Sequence, residues 1–292
     1  MNLSLLDQLK YANIVKEISY FDEIDSTNKR AKEDVLSDDK IALPRLYISD
    51  IQTAGRGRLG RSWVSPAGFG IWMSYLFRPE LSPELISGVT LLASIAVHDG
   101  IRKYAEISSI SLNSMDLLKI KWPNDIVLNS KKICGILTEL IAPNYVICGI
   151  GINVNTPSFS DDIKDKATSL MLETGEKWNR EQLITLIIEN LDRLIREYEK
   201  EKNLTFIQEK YNNLLVSMNK EVILNTFSAD DESNKPSSIE KNQDLAAYFQ
   251  NHPTYISRGI DSTGALLVED SNGTITTVSS GEVSVRGLYG YV

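Results

Sequence analysis

Thr53-Ala-Gly-Arg-Gly-Arg-Leu-Gly-Arg-Ser-Trp-Val-Ser-Pro-Ala-Gly68 sets three glycines (Gly55, Gly57, Gly60) and three arginines (Arg56, Arg58, Arg61) within seven residues. Glycine has no Cβ, so the backbone can turn through positive φ and come close to a ligand. Arginine offers a planar fork of donors matched to carboxylate and phosphate. A local charge of +3 in a chain of net charge −8 marks a loop that folds over a small anionic ligand. Two nucleotide signatures overlap it: a dinucleotide fingerprint, Gly55-x-Gly57-x-x-Gly60, and a P-loop in which Arg61 replaces the lysine. Both require a helix to follow at once. Instead Trp63-Val-Ser-Pro66 and the β-prone Gly70-Ile-Trp-Met-Ser-Tyr-Leu-Phe77 come next. With a strand at Leu46-Tyr-Ile-Ser49 in front, the stretch reads as a closing flap between two strands.

Upstream, Leu5, Leu6, Leu9, Ile14, Val15 and Ile18 predict one or two short amphipathic helices, and Asp25-Ser-Thr-Asn28 supplies caps for a helix reaching Leu36. Downstream, Ser82-Pro83 opens a helix to about Tyr104, and strands are expected over 118–122, 125–128, 131–141 and 145–154. Asn179 with Gln182 forms a capping box ahead of Leu183, Leu186, Ile187, Leu191, Leu194 and Ile195, and another helix covers 204–215. From Glu221 the chain reads as short strands at 221–227, 254–257, 265–269, 274–278 and 283–286, the pattern of a small barrel. The polar stretch 228–250 reads as an exposed insertion. The expected organisation is α+β, with a catalytic domain over 1–218 and a small β domain over 219–292.

Composition narrows the chemistry. The chain has 292 residues, 39 acidic against 31 basic, which argues against broad nucleic-acid or membrane binding. Two cysteines, Cys134 and Cys148, form no Cys-x-x-Cys pair, which fits a reducing cytoplasm and gives no zinc site. The two could be neighbours across a hairpin. No continuous apolar run approaches the ~20 residues that cross a bilayer. The two histidines, His98 and His252, stand beside no nucleophile motif, so a Ser-His-Asp hydrolase is excluded. Three further concentrations remain: Lys121-Trp-Pro-Asn-Asp125, Lys132-Ile-Cys-Gly135, and Gly149-Ile-Gly-Ile-Asn153. Arg56, Arg58, Arg61, Lys121 and Lys132 suit stabilising negative charge during phosphoryl or adenylyl transfer, with Asp125 as a metal ligand or a lysine partner. Gly135, inside an apolar strand, points to close approach of something to the backbone.

These motifs, in this order, resemble the biotin–protein ligases. The resemblance rests on Asp25-Ser-Thr-Asn28, Gln52 through Trp63 with Ser65-Pro-x-Gly68, Lys121 through Asp125, Lys132-x-x-Gly135-Ile-Leu with Glu139, and Gly149 through Val154. Ser257-Arg-Gly-Ile-Asp-x-x-Gly-Ala-Leu-Leu267 and Gly281-Glu-Val-Ser-Val-Arg286 extend it towards the C-terminus. It implies a catalytic domain like that of class II aminoacyl-tRNA synthetases, followed by an SH3-like barrel. It also implies that biotin and ATP, with Mg2+, form biotinyl-5′-adenylate, which a lysine of a biotin carboxyl carrier protein then attacks. By position, Ser26, Thr27, Asn28 and Gln52 would bind the biotin ring. Gly55, Arg56, Arg58, Lys132 and Gly135 would hold the biotinyl carboxyl and phosphate. Arg58, Arg61, Trp63, Lys121 and Asn153 would meet ATP or the adenylate, and Asp125 would hold Mg2+ or orient a lysine. Lys132, Arg58, Lys121 and Asp125 are the expected catalytic set. Few residues precede Ser26, so the form without a DNA-binding domain is expected, with nucleic acid and membrane not among its partners. Monomer and homodimer stay open, and the rivals are a lipoate or octanoyl ligase or transferase and a non-catalytic biotin or adenylate sensor.

Overall fold

The computed structural model describes residues 3–37, 40–111, 116–225 and 253–285. The insertion expected over 228–250, together with His252 and Arg286, lies outside the described residues. The chain opens with a 3-10 turn (Leu3–Leu5) and α1 (Asp7–Tyr11), then β1 (Glu17–Ile24), α2 (Thr27–Ser37), β2 (Arg45–Gln52) and β3 (Ile71–Phe77). There follow α3 (Ser87–Ile107), β4 (Leu118–Lys121), β5 (Asp125–Leu128), β6 (Lys131–Ile141) and β7 (Tyr145–Ile152). Three helices come next, α4 (Leu170–Thr174), α5 (Arg180–Glu201) and α6 (Thr205–Leu214).

The first seven strands form one mixed sheet in the order β1-β2-β3-β7-β6-β5-β4, with β1 parallel to β2 and the other pairs antiparallel. Side chains alternate between its two faces. Tyr47, Leu76 and Ile147 pack with Ala31 and Val35 of α2 on one side. Leu46, Ile48, Tyr75 and Cys148 join α3 and α5 in the main core on the other. The result is an α+β arrangement in which helices cover both faces. The helical stretch Pro83–Ile107 is long and apolar enough to cross a bilayer, yet most of its apolar part is buried inside the protein. Asn179 accepts a hydrogen bond from Gln182 N at 2.8 Å, so the expected cap does open α5.

Among the described residues, five short strands build a second, antiparallel sheet: β8 (Glu221–Asn225), β9 (Tyr255–Ile260), β10 (Leu266–Glu269), β11 (Ile275–Val278) and β12 (Glu282–Val285), in the order β11-β10-β9-β8-β12. It is bound to the first unit where Trp122 Nε1 donates to Gly264 O at 3.1 Å.

Two expectations need correction, and one element was not expected. Ile18 belongs to β1, not to an N-terminal helix, because Ile18-Ser-Tyr-Phe21 carries β-branched and aromatic residues that pair with β2. The short α4, capped by Ser169, went unanticipated. Cys134 and Cys148 are not cross-strand partners: Cys134 faces Ile152 and Cys148 faces Thr138. Both are buried free thiols, and burial pushes the Cys148 thiol up to about 12.

Candidate active site

The glycine and arginine stretch folds as a β-hairpin. Trp63 N donates to Gly55 O at 2.9 Å, Gly57 N to Arg61 O at 2.7 Å, and Arg56 bridges Ser62. The tip is closed by Arg61 N donating to Arg58 O at 3.2 Å. Leu59 (φ 57°, ψ 32°) and Gly60 (φ 74°) both lie in the left-handed region, which makes this a type I′ turn. Gly60 suits that conformation; Leu59 does not.

The hairpin leans over a cleft enclosing about 490 Å3, its open mouth included. Of the expected site residues, Ser26, Thr27, Asn28, Gln52, Arg56, Arg58, Trp63, Lys132 and Gly135 line it. Gly55, Arg61, Lys121, Asp125 and Asn153 do not. Lys121, Asp125 and Asn153 are buried, at 7%, 8% and 7% exposure, and Asp125 reaches the cleft through its ion pair with Lys132. Met73, Asn124, Gly149 and Gly151 also line the cleft and had not been assigned to it. Asn124 carried a signal, a polar side chain following Pro123 at a strand end. Met73 carried none.

Arg58 joins three parts of the molecule. Its Nη1 donates to Asn124 Oδ1 at 3.1 Å and its Nη2 to Gly281 O at 3.3 Å, the residue just before β12 of the second sheet. The guanidinium is thereby held at the mouth of the cleft.

Lys132 is fixed from several directions. Its N donates to Lys166 O at 2.9 Å, and its carbonyl accepts from Thr168 N at 3.0 Å. A bulge shifts the β5–β6 register from Ile126↔Cys134 to Val127↔Lys132, which turns Lys132 towards Asp125. The ammonium then lies 2.7 Å from Asp125 Oδ1 and 5.2 Å from the centroid of the Trp63 ring. Trp63 itself rests on Gly135 and Gly151, which pair directly across β6 and β7. A Cβ at Gly135 would stand 2.9 Å from the indole, and one at Gly151 2.7 Å from Nε1. The group that approaches the Gly135 backbone is therefore Trp63. Its Nε1–H is buried without a hydrogen-bond partner among the described residues. Asp125 is engaged as a lysine partner, the second of its two expected roles. Among the described residues no group of three or more His, Cys, Asp or Glu could hold a metal ion.

At the start of α2, Asp25 Oδ1 accepts from Ser26 N at 2.7 Å, and the Lys29 ammonium beside Asp25 holds its carboxyl below the usual range. Thr27 N and Thr27 Oγ1 lie 2.9 and 3.1 Å from Gln52 Oε1. Gln52 Nε2 donates to Ser65 Oγ at 3.1 Å, so its amide orientation is set. This end of the cleft is a wall of fixed dipoles. The hairpin end is cationic. Such a site takes a ligand that is polar at one end and anionic at the other.

A sequence-family model described as the biotin/lipoate A/B protein ligase family matches residues 20–153, and a second, the biotin protein ligase C-terminal domain, matches residues 251–286. The chain is similar to the biotin–protein ligases. It is 42% identical over 196 residues to the bifunctional ligase/repressor BirA of Bacillus spizizenii, covering 65% of this chain and 57% of that protein. To BirA of Escherichia coli it is 29% identical over 245 residues, covering 82% of this chain and 65% of that one. The chain thus spans rather more than half the length of these curated relatives. Among solved structures, the ligase of Aquifex aeolicus in complex with biotin and ATP superposes with a TM-score of 0.72 at 28% identity, covering 93% of this chain and 99% of that one.

Proposed function

We propose that the protein is an ATP-dependent biotin–protein ligase. The biotin carboxylate attacks the α-phosphorus of ATP and expels pyrophosphate. The ε-amine of a lysine on a biotin carboxyl carrier domain then attacks the biotinyl-AMP carbonyl and expels AMP. The observation that carries this reading is the Lys132 ammonium, held at the cleft wall by Asp125 beneath Trp63 and facing the arginine hairpin. Ser26, Thr27, Asn28 and Gln52 would seat the biotin ring. Arg56, Arg58 and Lys132 would steady the carboxylate and phosphate where charge develops, with the Gly55 and Gly135 backbones close by. Trp63, Arg61 and Asn153 would serve the adenylate, and buried Lys121 would add positive potential from behind. Mg2+ binds through substrate phosphates with one or two carboxylates. Asp125 already faces Lys132, so the ion would ride chiefly on ATP, neutralising its phosphates.

Residues 1–218 would form the catalytic domain, related to class II aminoacyl-tRNA synthetases, and residues 219–292 an SH3-like barrel. Two separate sheets support that division. The acidic balance, 39 acidic against 31 basic residues, disfavours broad nucleic-acid binding, and a cytoplasmic location and a homodimer are compatible with the ligase reading. The test is pyrophosphate release from ATP in the presence of biotin or of lipoate. Release with biotin and not with lipoate is expected. Release with lipoate alone would move the chain to the lipoate branch, and release with neither would leave a binding protein.

A further inference from the structure

Behind the dipole wall runs a chain of polar side chains, buried at Thr27, Asn28 and Ser74 and half-buried at Glu139, that do not all reach the cleft. Asn28 Nδ2 donates to Glu139 Oε2 at 2.7 Å and to Leu137 O at 3.3 Å. Facing two acceptors, it fixes the orientation of the Asn28 amide, so Oδ1 points the other way, to Ser74 Oγ at 2.6 Å. Ser74 is fully buried in β3 and also lies 2.7 Å from Thr27 Oγ1. Gly149 makes room for the arrangement: a Cβ there would meet Asn28 Oδ1 at 2.2 Å.

Protons can be assigned along this chain. Asn28 Oδ1 only accepts, so the single Ser74 hydroxyl proton goes to it. The short Ser74–Thr27 contact must then be carried by the Thr27 proton. Gln52 Oε1 already receives Thr27 N–H. Thr27 Oγ1 and Gln52 Oε1 are left 3.1 Å apart with no proton between them, two acceptors at the same end of the cleft. Both oxygens keep lone pairs turned to the cleft, which a donor on the ligand can fill.

We propose that Ser74 and Glu139 are positioning residues that set this proton order, so that the cleft demands an N–H donor from its ligand. This deepens the reading of the site and rests on it. A cyclic urea such as that of biotin supplies N–H groups, whereas the dithiolane of lipoate and a plain acyl chain supply none. A site built to pair a polar group rejects analogues lacking it far better than an apolar pocket could.

The test is steady-state pyrophosphate release with biotin and with lipoate, for wild type, Ser74→Ala, Glu139→Met and Glu139→Gln, with thermal melts as a fold control. Ser74→Ala frees the Thr27 proton to close the acceptor pair. Its KM for biotin is expected to rise about tenfold or more, with kcat within about twofold, because binding rather than the chemical step is affected. Glu139→Met removes the anchor of the Asn28 amide and is expected to act in the same direction. Glu139→Gln keeps an acceptor oxygen and is expected to restore the wild-type KM. Biotin KM values unchanged in both Ser74→Ala and Glu139→Met, or Glu139→Gln as impaired as Glu139→Met, would overturn the proposal while leaving the ligase reading intact. Wild-type protein that turns over lipoate and not biotin would overturn both.

Discussion

The Lys132 ammonium stands 2.7 Å from the Asp125 carboxylate on the neighbouring strand. A long, flexible cation is thereby held in one position at the cleft wall. Lys132→Ala is expected to lower the rate of adenylate formation by about a hundredfold or more, the scale of losing one aimed electrostatic group. Asp125→Asn keeps the shape and removes the charge, so a smaller fall of about tenfold is expected, with biotin affinity little changed. Single-turnover pyrophosphate release measures both. Wild-type rates in Lys132→Ala would remove this lysine from the chemistry.

Arg58 grips Asn124 and Gly281 at once. Arg58→Ala frees the hairpin from both and removes a cation from the mouth of the cleft. Its adenylate should escape at least several-fold faster, seen as free biotinyl-AMP released without acceptor. An equal release rate would mean that the hairpin is retained by other contacts.

Leu59 occupies a left-handed backbone position and is half exposed. That conformation costs a leucine about 1–2 kcal/mol more than its ordinary ones, and asparagine tolerates it better. Leu59→Asn gives up little buried surface, so it should favour the closed hairpin and slow adenylate escape a few-fold. Faster escape would show that the leucine side chain itself holds the flap shut.

Much of this could be read along the chain. β5 and β6 match their expected spans because two β-prone runs flank Asn129-Ser130, and both of these residues take positive φ in the turn. β1 escaped notice because its parallel partner is β2, and local periodicity carries no trace of a pairing across α2. In the site, the residue types were legible and their pairings were not. Nothing in the spacing of Asp125 and Lys132 announces the bulge that turns one towards the other. Ser74 was discoverable: it is the one small polar residue within Ile71–Phe77, a strand buried at every position. A polar group there needs partners, and finding them required the fold.

His98 is buried in α3, its Nδ1 3.1 Å from Asp99 and its Nε2 without a hydrogen-bond partner among the described residues. Burial lowers its pKa below the ordinary 6.5 against the pull of Asp99, with Lys210 and Arg102 nearby adding to the fall. Between the lowered value and 6.5 the unfolded chain takes a proton that the folded one refuses. The contribution to stability is therefore complete above pH 6.5 and declines as the pH falls through that window, by at most about 1.4 kcal/mol per pH unit. Melting temperatures from pH 7.5 to 5 should fall accordingly, and His98→Gln should flatten the trend. An equally steep fall in His98→Gln would assign the effect to other groups.

The hydrogen bond from Arg58 to the Gly281 carbonyl spans 223 positions of chain. On the ribosome, the hairpin is synthesised long before the carbonyl that steadies its arginine. A nascent chain can pair β2 with β3 at once, but its anion grip stays unanchored on that side until 223 further residues have been added. Order of synthesis thus makes a fully steadied Arg58 one of the last features the molecule acquires. On the ligase reading, newly made protein would hold an adenylate securely only after the second sheet has docked.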